Sequence, residues 1–246
     1  MNHILSICKR ELRGYFATPV AYVFIVIFLF MTGLFAFSPN LGGLYERNQA
    51  DLEPFFRFHP WLYLFLIPAI SMRLWSEERK SGTIELLMTL PISITDAVIG
   101  KFLAAWCFSG IALALTFPMW LTVSYLGEPD HTVIIASYIA SFLMAGGFLA
   151  IGSCISAITK SQVIAFVISV VICFLFILSG FPLVLNFFQA WAPQMLVDAV
   201  ASLSFLTHFD AIRKGVIDLR DLIYFSVLIV FWLYATVVTI EAKKAG

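Results

Sequence analysis

The run VIIASYIASFLMAGGFLAIGSCISAI, residues 133–158, contains no Asp, Glu, Lys, Arg or His. A helix over it reaches about 39 Å at 1.5 Å per residue, enough to cross the roughly 30 Å of hydrocarbon in a bilayer. Gly146 and Ala150, then Ser153 and Ala157, stand four residues apart on it. Small residues at that spacing let a neighbouring helix backbone approach closely. Such spacing serves either packing within the chain, which is the default reading, or a seam between two copies.

Outward from this run lie five more: 20–37, 60–74, 102–126, 163–185 and 222–240. Only 60–74 falls short of the length a span needs, and none carries an ionisable residue in its interior. The chain is 61% hydrophobic and 12% charged, with 25 Phe and a mean hydropathy of +0.95. A soluble fold cannot bury six such segments in 246 residues. The expected fold is therefore an all-α polytopic membrane protein, one domain over 1–246 with six transmembrane helices. If the N-terminus is cytoplasmic, the inner segments hold ten of the 15 basic residues and six of the 15 acidic ones. That bias satisfies the positive-inside rule and places both termini in the cytoplasm. No small-residue cleavage site closes the first run, which argues against a cleaved signal peptide.

The connecting segments add detail. In 1–19, Ile4, Leu5, Cys8 and Leu12 share one face, with Lys9, Arg10, Glu11 and Arg13 elsewhere; this predicts a helix lying in the inner headgroup layer, the plain alternative being a basic leader that only fixes topology. Gly14 and Pro19 bracket the turn into the first span. The outer stretch 38–59 is a charged loop, 127–132 is a tight hairpin connection, and 186–221 is rich in aromatics. Its apolar residues recur at helical spacing, which predicts short outer helices, either lying on the surface without further role or taking part in gating. Pro68, Pro118 and Pro182 are candidate kinks.

The chemistry is mostly one of absences. No phosphate-binding G-x-x-x-x-G-K-[ST] is present, nor a G-x-S-x-G or H-E-x-x-H, so the chain is not expected to be an enzyme by itself or to bind a cofactor or metal. The four histidines, His3, His59, His131 and His208, are scattered over termini and loops, and the four cysteines have no ligand or disulfide spacing.

One polar stretch interrupts the apolar pattern: SEERKSGTIELLMTLPIS, residues 76–93. Gly82 can end the preceding helix, and Pro91 would stop any helix formed after it. Between them Ile84, Leu87 and Met88, widened by Leu86, form an apolar face on a helix of about two turns, too short to persist alone in water. The bilayer, the bundle or another protein must cover it.

At these residues the sequence resembles the permease subunits of ABC-2 type transporters, and within them the gliding-motility (GldF-like) branch. The matching positions are Glu77, Glu78, Gly82, Thr83, Glu85, Leu86 and Pro91, followed by a Gly100–Lys101 pair at the third span. Lys9, Arg10, Glu11 and Leu12 before the first span, and SFLTHFDAIRKGVIDLRDLIYF at 204–225, support the match. The resemblance implies that the loop after the second span is a coupling helix seated in a separate cytoplasmic ABC ATPase, which carries the ATP and Mg. It further implies a second permease copy, a homodimer being expected, in a bacterial inner membrane. A periplasmic auxiliary subunit is a further candidate partner, contacting the outer segment at Phe205, Asp210, Arg213, Gly215 and Asp218; no nucleic acid is implied. Two activities fit: ATP-driven transport, with export expected, or transmission of ATP-driven motion to a periplasmic partner without solute movement.

Overall fold

The computed structural model describes residues 2–38, 43–44, 50–84, 92–189, 192–216 and 218–243. Among these it holds thirteen α-helices: α1 Asn2–Phe16, α2 Pro19–Phe37, α3 Glu53–Arg57, α4 His59–Ser71, α5 Arg73–Ser81, α6 Ile94–Ala114, α7 Phe117–Leu126, α8 His131–Ile158, α9 Gln162–Leu178, α10 Pro182–Gln189, α11 Gln194–Ser202, α12 Phe205–Arg213 and α13 Leu219–Ala242.

Local chemistry explains most boundaries. Asp130 caps α8 by accepting from the Thr132 and Val133 amides at 2.9 and 3.3 Å. Ser93, Ser161, Ser204 and Asp218 cap α6, α9, α12 and α13 in the same way. Pro19 opens α2 directly after the turn at Ala17–Thr18. Gly82 terminates α5 in the left-handed region at φ 75°, where a side chain would be strained.

Among the described residues, four helical stretches are long and apolar enough to cross a membrane: Pro19–Phe37, Ile94–Leu126, His131–Ile158 and Leu219–Ala242. Counting the bent pairs α9 with α10 (68°) and α11 with α12 (66°) as one span each raises the number to six. The helices differ in extent from the expected spans at several points. The run 60–74 is no single helix: α4 ends at Ser71, Met72 capping it with its amide on the Pro68 carbonyl, and α5 continues as a charged helix. The run 163–185 bends at 179–181, just before Pro182. The helix that holds the third expected span begins at Ile94, eight residues before it, which draws Lys101 into a helix. The last extends over 219–242, taking in Arg220, Asp221 and Glu241.

Helix α8 is the axis of the bundle. In its most apolar window 72% of residues are buried, against 28% for α2 and for α13. It is ringed by α4, α5, α6, α9, α12 and α13, and every residue from 144 to 157 is buried. Its glycines set the approach distances. A Cβ on Gly146 would lie 2.9 Å from Trp106 Nε1, one on Gly147 2.7 Å from Phe205, and one on Gly152 2.6 Å from Ser71 Cβ. The small-residue spacing therefore serves packing within the chain. Large apolar side chains on α2, α9 and α13, such as Val26, Phe30, Val163, Val171, Val227 and Val230, face outward. An exposed apolar belt of this extent suits hydrocarbon and not water.

Candidate coupling site

The Ile158 end of the bundle gathers the polar residues that the apolar runs exclude. Helix α1 lies along α6, and Gly100 permits the approach: a Cβ there would sit 2.8 Å from Ile7 Cγ2 and 3.2 Å from the Ile4 carbonyl. Tyr15 stacks on Phe108 at 5.2 Å farther along. The packed face of α1 is not quite the expected one. Leu5 points outward at 54% exposure, while Ile7 is buried and Glu11 turns toward α6. Lys9 and Arg10 are exposed, Arg10 pairing with Glu11 at 2.7 Å, and Leu12 is half-buried against the core.

Helix α5 is fastened to α8 by a chain of hydrogen bonds. The Ser156 hydroxyl accepts from the Trp75 and Ser76 amides, both at 3.1 Å, and donates to the Met72 carbonyl at 2.8 Å. It thereby satisfies backbone groups that the helix break at Met72 exposes. Trp75 Nε1 donates to Ser153 Oγ at 3.1 Å. At the C-terminus of α8, Arg79 donates to the Ala157 and Ile158 carbonyls, and Lys243 to that of Ile158. Two cations on a helix C-terminus complement its dipole. Partial desolvation first, then the neighbouring Arg79 and Lys160, lowers the Lys243 pKa. Both ends of the described chain thus meet at this end of the bundle.

Between α1, α5 and α6 sits Lys101, 4% exposed. Its ammonium lies 2.8 Å from Glu78 Oε1, 3.6 Å from Glu11 Oε2 and 5.2 Å above the Trp75 ring. One buried cation thus holds two carboxylates from helices far apart in sequence, with an aromatic face as lid. The stretch 76–80 is therefore not wholly a solvated surface. Glu77 stays outside, paired within its helix to Arg73 at 3.2 Å, whereas Glu78 and Arg79 turn inward. Gly82, Thr83 and Ile84 come directly after; Thr83 shares a hydrogen bond with Ser81 at 2.9 Å and Ile84 packs on the core. Glu85, Leu86, Leu87, Met88 and Pro91 lie outside the described residues.

Among the described residues no three His, Cys, Asp or Glu side chains converge to hold a metal, and all four cysteines are free thiols. The sequence matches the profile described as ABC-2 family transporter protein over residues 7–242. The chain belongs to the ABC-2 transporter family. It is also 30% identical over 135 residues to heme exporter protein B of Paracoccus denitrificans, a stretch covering 52% of this chain and 57% of that relative. The chain thus spans little more than half the length of the curated relative it matches. ABC-2 membership makes it a membrane permease component of an ABC transporter.

The permease's other end, around His131, carries the 204–225 stretch. Phe205 is fully buried against Phe148 and Phe176, anchoring α12 to α8 and α9. Arg213 bridges Glu53 at 2.7 Å and Asp210 at 3.0 Å, and its carbonyl accepts from Ser137 at 3.3 Å. Gly215 comes next but one at φ 84°, a turn only glycine makes without strain, and Asp218 caps α13. Two histidines correct the sequence reading. His59 is buried at the start of α4, its Nδ1 2.7 Å from Ser141 Oγ. His208 is buried against Asp221, Nδ1 to Oδ1 2.5 Å, and stacks on Tyr224 at 3.9 Å. A carboxylate 13 residues after a histidine carries no local signal of pairing. Nor does the place of Lys101 beside Gly100 show, in the sequence, that it is the junction.

Proposed function

We propose that this permease couples ATP hydrolysis by a separate cytoplasmic ATPase to export across a bacterial inner membrane. In this reading the Ile158 end faces the cytoplasm with both termini, the loop 82–92 seats in the ATPase, and ATP and Mg stay on that subunit. Two copies, expected to be identical, enclose the path. The observation that carries the proposal is the fastening of α5 at the root of that loop: Ser153, Ser156 and the last carbonyls of α8 on one side, Lys101 on the other. Such attachment on both sides lets α5 pass a push received by that segment into the bundle.

Two experiments test this. Glu85→Arg or Leu87→Arg places a cation on the proposed seat; the ATPase should no longer co-purify while the permease still inserts. Undiminished co-purification would sink the seat. Vesicles holding the complete complex should then move a solute with ATP, and heme belongs in the panel because of the name borne by the Paracoccus relative. A second reading, transmission of motion to a periplasmic partner as in a gliding-type assembly, is supported by the firm attachment of α12 to α8 and α3 through Phe205 and Arg213. ATP hydrolysis without movement of any solute in the panel would favour it.

A further inference from the structure

We infer that Lys101 is a positioning residue that makes α5, α1 and α6 move together, carrying displacement of the 82–92 loop into the N-terminal helix. This rests on the ATPase-seat reading above and adds the route by which motion leaves the seat.

The geometry points to Lys101 because α5 has two very different attachments. Toward α8 it is held by several neutral and charge-assisted hydrogen bonds, at Trp75, Ser76 and Arg79. Toward α6 and α1 its salt bridges among the described residues run through one ammonium: Glu78 to Lys101, and Lys101 on to Glu11. An ammonium is a compact charge with three rotatable donors, suited to two carboxylates arriving from different directions. Burial under Trp75 keeps water from screening it. The second Glu78 oxygen is buried without a hydrogen-bond partner, so Lys101 is what compensates that carboxylate. Removing the ammonium does more than delete an attraction: it leaves Glu11 and Glu78 facing each other as like charges, which drives α1 and α5 apart. Gly100, the residue before it, already holds α1 at close range through Ile4 and Ile7. Lys101 therefore sits where a load on α5 meets α1.

The test places cysteine probes at Lys9 on α1 and Lys80 on α5, both exposed, in a background lacking Cys8 and Cys107. Fluorophores on the ATPase-bound permease are followed as the ATPase is trapped with ATP and vanadate. In the parent protein both probes should respond. In Lys101→Met the Lys80 probe should still respond while the Lys9 response falls several-fold, and Lys101→Arg should restore it. A full Lys9 response in Lys101→Met overturns the inference, as does loss of both responses with the ATPase still bound, since Lys101 would then act on the seat itself. A silent Lys80 probe in the parent would instead refute the seat. The fastening is judged independently by spin labels at the same two positions without nucleotide: one narrow distance in the parent and a broadened one in Lys101→Met. An unchanged distribution overturns the inference whatever the ATPase does. Should Lys101→Met fail to fold, Glu78→Gln, which weakens the α5 arm alone, is expected to broaden the same distance.

Discussion

Replacing Gly152 by alanine tests the central helix crossing directly. The new methyl would collide with Ser71 Oγ and stand 2.6 Å from Ser71 Cβ. The hydroxyl can rotate away but the Cβ cannot, so α4 and α8 must part by about 1 Å to regain ordinary contact in a close-packed interior. Ser156, one turn on, holds the Trp75 and Ser76 amides and the Met72 carbonyl at 2.8–3.1 Å, and the separation stretches all three bonds. Overpacking costs about 1–3 kcal/mol, and each weakened buried hydrogen bond adds up to about 1 kcal/mol. A total of about 3 kcal/mol corresponds to a fall in Tm of roughly 6–12 °C for a chain of this size. Thermal unfolding in detergent can be followed by a thiol-reactive dye, because Cys154 and Cys173 are buried until the bundle opens. Ser71→Gly in the same chain should recover most of the loss, since it removes the clashing atoms. A Gly152→Ala protein melting within about 2 °C of the parent, or no recovery in the double variant, would refute the close crossing.

Three further outcomes are expected. Ser156→Ala strips the Trp75 and Ser76 amides of their shared acceptor and should lower stability by about 1–3 kcal/mol, read as a lower melting temperature with insertion unchanged. His208→Phe keeps the stacking on Tyr224 but leaves the buried Asp221 carboxyl without its hydrogen-bond partner; the cost should be about 1–3 kcal/mol. Adding Asp221→Leu should restore much of it, and no recovery would mean that the pair is not the cause. Arg213→Met removes ion pairs whose acidic partners are 34% and 48% exposed, so about 1 kcal/mol is expected after screening. The sharper readout is faster proteolysis within 192–216.

Much of the architecture was legible from the order of residues. The apolar runs mark the helices, and Pro118 and Pro182 stand at helix starts, where a missing amide donor costs nothing, while Pro68 is accommodated inside α4. Gly82 marks a helix end for an equally local reason, its tolerance of positive φ. The small residues of α8 foretold close packing, though not that Gly152 meets Ser71.

The junction was another matter. Glu11, Glu78 and Lys101 are separated by 67 and 23 residues from neighbour to neighbour, and a helical pattern assigns every charge to the outside. That assignment fails when an opposite charge on another helix compensates burial, as Lys101 does for both carboxylates. His208 and Asp221 escaped notice in the same way, as did the inward turn of Arg79 onto the last carbonyls of α8. Periodicity is a property of one segment, so the sequence alone determined that this chain enters a membrane and, at Gly82, where one of its helices stops. The pairing of buried charges is a property of several segments at once, and only the tertiary structure decided which charges leave the surface to join α1, α5 and α6.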